Sequence, residues 1–260
     1  MSVKLPGALI SSLSPHLELS KSCLETPAGL IVLLVNVRTV NLTHIAAQFS
    51  ATAKAASSTR RLQRFFQFVR LDEDWFAKAV VKLSRVNPPW ILALDRTNWQ
   101  FGKSNIKLLM LCIITRRYRI PLMWTMLDKQ GCSNSAERMA LMRRYLDILG
   151  PKSIRYFLAD REFIGPEWII FLLQNKVMFS IRVKSNLYVT LDTGRTYMFK
   201  SLLQKTAMHG FLRKHWGRLE TMRESAGMPL RFACKKGRDG KLIIIITNSK
   251  NPSDTRSQNE

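Results

Sequence analysis

The sequence predicts an α/β domain that follows a helical region, and three observations carry that expectation. Up to residue 87, apolar side chains recur at three- and four-residue spacing, the period of a helix packed on one face. At Asn87-Pro88-Pro89 the pattern changes to short apolar runs separated by helix-like stretches, as expected of strands and helices sharing one core. From residue 185 the runs shorten further and are broken by the turn signals Asp192-Thr193-Gly194, Gly217, Gly227 and Asp239-Gly240. The expected division is a helical region over 1–87 and an α/β domain over 88–260, with a mainly β insertion at about 185–240.

In the helical region, Leu30 to Val37 is a short apolar helix core, and Asn41 or Thr43 can cap a helix running through Phe49. Ser57, Ser58 and Thr59 then precede a strongly basic helix. Its Leu62, Phe65, Phe66 and Val69 recur at helical spacing and are expected on one face. Arg60, Arg61 and Arg64 fall largely away from that face and are candidate DNA contacts. The plainer alternative is a solvated basic face on an ordinary bundle.

The second region opens with Trp90 to Asp95 (WILALD), an apolar run that ends in a carboxylate and reads as a buried strand. Lys107 to Thr115 and Ile120 to Leu127 read as the next strands, joined through Arg116, Arg117 and Arg119. Ser133 or Ser135 can cap a helix from Ala136 to about Leu149, stopped by Gly150-Pro151. Ile154 to Ala159 (IRYFLA) is another strand and ends in Asp160. Gly165-Pro166 opens a helix through about Asn175, Val177 to Val183 returns as a strand, and Leu242 to Thr247 closes the insertion. The polar stretch from Asn248 to Glu260 is expected to be unstructured.

Composition narrows the partners. Lys and Arg number 41 against 18 Asp and Glu, a net charge of +23, and a surplus of that size favours polyanions because neutralised phosphates release counterions. Nucleic acid is the first expectation, with an anionic membrane surface or a ribosome-associated role as plainer alternatives. The longest apolar runs are far below the ~20 residues a spanning helix needs, so no membrane span is expected. No secretory signal is read at the amino terminus. Cys23, Cys112, Cys132 and Cys234 are scattered and form no C-x-x-C pair, which fits a reducing cytoplasm. His209, His215 and Cys234 match no usual zinc-ligand spacing.

Asp95 and Asp160 are the residues that core packing explains least, because an unpaired carboxylate at the end of a buried strand is costly. If their strands are parallel neighbours, both reach one edge of the sheet, where sites in such folds lie. Carboxylates held close repel, and a divalent cation relieves the repulsion. Magnesium takes hard oxygen ligands from one or two carboxylates, and two ions ~3.5–4 Å apart can activate a water or 3′-hydroxyl. The competing reading is a pair of salt-bridged aspartates. Asp128, in Asp128-Lys129-Gln130-Gly131, reads as a turn residue.

Three stretches, LALDRTNWQFG around Asp95, PLMWTMLDKQG around Asp128 and LADREFIGPEW around Asp160, resemble bacterial insertion-sequence transposases of the DDE class. The group they resemble most is the family named after insertion sequence four. The helical stretches TVNLTHIAAQF and RRLQRFFQFVRLDEDW are similar to that family's amino-terminal part. The resemblance implies a ribonuclease-H-like catalytic domain with a β insertion before its last helix, preceded by a helical DNA-binding region. It implies metal-dependent cleavage and strand transfer at transposon ends, with magnesium, or manganese as a substitute. Asp95 matches the first catalytic aspartate and Asp160 the second, and both would be metal ligands. Arg96, Asn98, Arg161 and the basic loop Arg116–Arg119 are further candidates for phosphate contacts. The implied partner is double-stranded DNA, transposon ends and target, in a bacterial cytoplasm, with a homodimer or a dimer with an intact copy as the expected assembly.

The family's third ligand is a glutamate within Tyr-x-x-Arg-x-x-x-Glu, after the insertion. No tyrosine here starts that pattern; Arg256 and Glu260 match its second half, with Ser253 in the tyrosine position. Glu162 stands two residues past Asp160, as a supporting group or a partner of Arg161, while Glu220 and Glu224 fall in the insertion. The expectation is a chain cut before the third carboxylate and inactive alone. Two rivals are an inactive DNA-binding or inhibitory fragment and a ribonuclease-H-like host nuclease.

Overall fold

The computed structural model of the protein describes residues 7–16, 20–49, 54–70, 73–101, 104–127, 133–191, 193–202, 215–219, 230–236 and 242–249. The chain forms two compact units, Met1–Val86 and Asn87–Glu260.

The first unit is helical: α1 (Gly7–Leu13), α2 (Lys21–Val37), α3 (Leu42–Ala47), α4 (Ala55–Phe68) and α5 (Glu73–Ser84). Leu30, Leu33, Ile45, Ala46 and Leu62 form one core cluster, and Leu13, Leu24 and Ala28 another. Of the two expected caps of α3, Asn41 serves, its side chain accepting from the backbone N–H groups of Thr43 and His44. The basic helix α4 starts before Ser57, so the hydroxyl residues expected at its edge lie inside it. Thr59 donates its hydroxyl to the Ala55 carbonyl one turn back, at 2.9 Å, which satisfies it without a cap. Along α4 Ser58 and Leu62 are buried, Phe65 and, just past the helix end, Val69 are half-buried, and Phe66 is 54 % exposed. Its expected place on the packed face is corrected accordingly.

In the second unit ten strands form one sheet in the order β3-β2-β1-β4-β5-β10-β9-β8-β6-β7, among the described residues. They are β1 (Trp90–Phe101), β2 (Ser104–Ile114), β3 (Arg119–Leu127), β4 (Ile154–Ala159), β5 (Phe179–Val183), β6 (Tyr188–Leu191), β7 (Thr196–Met198), β8 (His215–Leu219), β9 (Leu230–Lys236) and β10 (Leu242–Thr247). The helices are α6 (Ser135–Leu149) and α7 (Pro166–Gln174). β1, β4 and β5 are parallel to one another, while β2, β3 and β10 are antiparallel additions. Strands β6–β9 extend this sheet through β10 instead of forming a separate layer.

Strand β1 does not stop at Asp95. It continues to Phe101 because its other edge stays paired with β2 out to Phe101↔Ser104. The extension (Arg96 to Gln100) is largely polar, so no apolar run announced it. The cap of α6 is Asn134, not Ser133 or Ser135. Its side chain accepts from the Glu137 N–H at 2.9 Å, and the Glu137 carboxylate accepts from the Asn134 N–H at 2.8 Å, a reciprocal capping box. Helix α7 lies on the sheet face that carries Phe157, where Trp168 meets that ring edge-on at 5.6 Å between centroids. The opposite face carries the candidate site.

Candidate active site

The register of β1 against β4 aligns the two aspartates. Leu94 pairs with Ala159, so Asp95 and Asp160 follow at matched positions where the parallel strands part. Neighbouring strands run about 4.8 Å apart, which sets the spacing of the two positions. Both line an open groove of about 620 Å³ on one sheet face. Ala93, Leu158, Ile243 and Ile245 line it with apolar surface, and Arg119 and Arg182 with positive charge.

Each carboxylate has a donor beside it. Asp95 Oδ1 accepts from the Arg96 backbone N–H at 2.8 Å, and Asp160 Oδ1 lies 3.9 Å from Arg182 Nη1. Burial raises the Cys112 thiol above its ordinary range, the negative charge of Asp95 adds to this, and Arg119 opposes it. Ser180 also lines the groove; it is 6 % exposed, and its hydroxyl has no hydrogen-bond partner among the described residues.

This donor set, two exposed carboxylates with room for water, suits a hard cation such as magnesium. Among the described residues no group of three His, Cys, Asp or Glu side chains could hold a metal. Asp128, Glu220, Glu224 and Glu260 lie outside the described residues, as do His209 and Cys132.

The basic candidates separate into distinct surroundings. Arg60 and Arg64 are exposed on α4, and Arg161 is exposed beside Asp160. Arg61 is held within the helical unit: its Nε donates to Thr26 Oγ1 at 2.9 Å, Glu25 lies 3.5 Å away, and its guanidinium stands 5.5 Å from the centre of the Phe49 ring. Arg96 Nη2 lies 3.0 Å from Glu162, and its side chain is 16 % exposed. The partner shown for Glu162 is thus Arg96, not the adjacent Arg161. Asn98, Arg116, Arg117 and Arg119 are exposed. Ser180 and Arg182 were not singled out in the sequence, although Phe179-Ser180-Ile181-Arg182-Val183 alternates apolar and polar and so places both on one side of β5.

No protein-family model matches the chain, and no curated protein matches it in sequence. Among solved structures it is similar to piggyBac transposase in a synaptic complex with hairpin DNA, with TM-score 0.50 at 13 % identity, over 95 % of this chain and 59 % of that one. Looser similarities are to the dimeric, magnesium-bound catalytic core of HTLV-2 integrase (TM-score 0.29, 16 % identity, 37 % of this chain and 62 % of that one) and to Endonuclease V from Bacillus subtilis (0.34, 12 %, 74 % and 82 %). The chain spans less than two thirds of the piggyBac transposase chain. At such identity the likeness is one of fold. The expected fold class is the observed one: mixed α/β with a ribonuclease-H-like sheet domain.

Proposed function

We propose that the second unit is the catalytic domain of a DDE-class DNA transposase, of the insertion-sequence type its motifs resemble, working in a bacterial cytoplasm. The observation that carries this reading is the pair Asp95 and Asp160, side by side on adjacent parallel strands in a groove that Arg119 and Arg182 also line. Asp95 and Asp160 would hold magnesium or manganese, whose chemistry when bound is to activate a water or 3′-hydroxyl and to neutralise a leaving oxygen. Arg119 and Arg182 present charge to the phosphodiester backbone, and Arg182 balances Asp160 until a cation does so. The net charge of +23 draws DNA to the chain, and the exposed Arg60, Arg64 and Arg161 offer phosphate contacts that position it.

In this reading a third carboxylate completes the site, and no described residue is assigned to it. In this reading the chain binds transposon-end DNA through its surplus of positive charge. The test compares this chain with a fusion carrying the glutamate-bearing helix of an insertion-sequence transposase. The fusion should cleave end DNA with magnesium or manganese, and Asp95→Ala or Asp160→Ala should abolish the cleavage. Cleavage that survives both substitutions would overturn the assignment.

A further inference from the structure

We propose that Arg96, Glu162 and Arg138 form a clasp that positions Asp160 against Asp95. The inference rests on the metal-site reading above and concerns how that site is held. The last register pair between β1 and β4 is Leu94↔Ala159, so the ladder ends one residue before the aspartates. Beyond that point something other than the sheet must fix their separation. The Arg96–Glu162 ion pair crosses that gap. It joins the residue after Asp95 to the residue two past Asp160 at 3.0 Å, with side chains 16 % and 27 % exposed. On the β1 side, the Arg96 backbone N–H also holds the Asp95 carboxylate.

On the other side, the turn carrying Glu162 is anchored to α6 by Arg138. Arg138 as a whole is 5 % exposed, and an arginine so buried must direct its N–H groups to acceptors. It donates to the Glu162 carbonyl at 3.3 Å, the Ile164 carbonyl at 3.2 Å, Ser133 Oγ at 3.1 Å and the Ser133 carbonyl. It also stands 5.6 Å from the centre of the Phe163 ring, which is fully buried. Phe163 N–H in turn donates to the Asp160 carbonyl at 2.9 Å. The same approach explains Gly165, where a Cβ would meet Ser135 Oγ at 3.1 Å. Arg138 fixes the turn to the helix, and the Arg96–Glu162 pair fixes the turn to β1. Neither touches substrate; both are positioning residues.

The test uses the full chain and two readouts: Mn²⁺ affinity by electron paramagnetic resonance, and hydrogen exchange of a peptide spanning residues 160–165. Arg96→Gln and Glu162→Gln should each weaken Mn²⁺ binding about tenfold or more, the range for groups that orient metal ligands. Both should speed exchange in the peptide, and the charge swap Arg96→Glu with Glu162→Arg should restore both readouts. Arg138→Lys should act in the same direction; if it fails to fold, the partly exposed pair still decides the question. Single variants that bind Mn²⁺ and protect the peptide like the parent, while Asp95→Asn abolishes binding, would overturn the clasp and leave the metal reading standing. A swap that restores nothing would also overturn it. Exchange that responds as expected in a chain that binds no Mn²⁺ would support the clasp and remove the metal reading.

Discussion

Along β1, β4 and β5, alternate residues face opposite sides of the sheet, and the two sides have different surroundings. Leu92, Leu94, Phe157, Phe179 and Ile181 are buried on the side where α7 packs. Their immediate neighbours Asp95, Asp160 and Arg182 are exposed, and Ala93 and Leu158 half-buried, on the groove side. The same strands therefore supply cohesion on one face and charge on the other, and a register slip of one residue would exchange the two sets. Substitutions on the closed face should change folding far more than binding, and those on the groove face the reverse.

The largest effect on folding is expected at Phe157, fully buried against Trp168. Phe157→Ala should destabilise by about 3–5 kcal/mol, measured by urea unfolding. A loss below about 1 kcal/mol would mean that the closed face is not the core.

Next is Tyr145 on α6, whose hydroxyl is buried against Ser153 Oγ at 2.7 Å. Burial pushes its pKa from the ordinary 10.0 up to about 12, against a smaller downward pull from the Ser153 hydrogen bond. The folded state thus disfavours the phenolate, so the contribution is complete below about pH 10 and is lost as pH rises towards 12. The parent should lose on the order of 2 kcal/mol across that window. Tyr145→Phe should lose about 1 kcal/mol at neutral pH with the hydrogen bond, and be less sensitive to alkali. Equal alkaline sensitivity in both would rule out Tyr145 as the source.

Part of this contrast was readable beforehand. Asp95 and Asp160 stood out because each ends an apolar run, and a strand that buries its neighbours has no packing use for a carboxylate. Glu137, three residues past Asn134, marked the true cap among three adjacent capping residues, and weighing the capping box would have chosen it. The outer half of β1 was hidden because its residues are polar and held by pairing with β2. The Arg96–Glu162 pair joins residues far apart in sequence and depends on which strands become neighbours, so no local pattern encodes it. The sequence offered Arg96 as a phosphate contact, and its pairing with Glu162 came only with the fold.

A smaller folding effect is expected at the aspartates. Asp95→Asn and Asp160→Asn should each shift stability by about 0.5 kcal/mol or less, since both side chains are exposed. The same variants should lose Mn²⁺ binding. A large stability loss at either position would place that carboxylate in the folding framework and blur the distinction between the faces.

The smallest folding effect is expected at Ser180, and its register partner Thr247 supplies the control. Both hydroxyls are buried, at 6 % and 1 % exposure. Thr247 Oγ1 donates to the Phe179 carbonyl at 2.6 Å and accepts from the Ser249 N–H at 3.0 Å. Thr247→Val would leave buried groups unpaired and should cost about 1–3 kcal/mol. Ser180 Oγ makes no such bond among the described residues, so Ser180→Ala should be neutral within a few tenths of a kcal/mol, because no partner is left behind. If the hydroxyl serves a ligand in the groove, the same change should weaken binding of a short DNA duplex about two- to tenfold, the worth of one ordinary hydrogen bond. Stability by urea unfolding and affinity by fluorescence anisotropy separate the two roles. A Ser180→Ala chain destabilised like Thr247→Val, with unchanged DNA affinity, would return Ser180 to the fold and narrow the binding face to its charged residues.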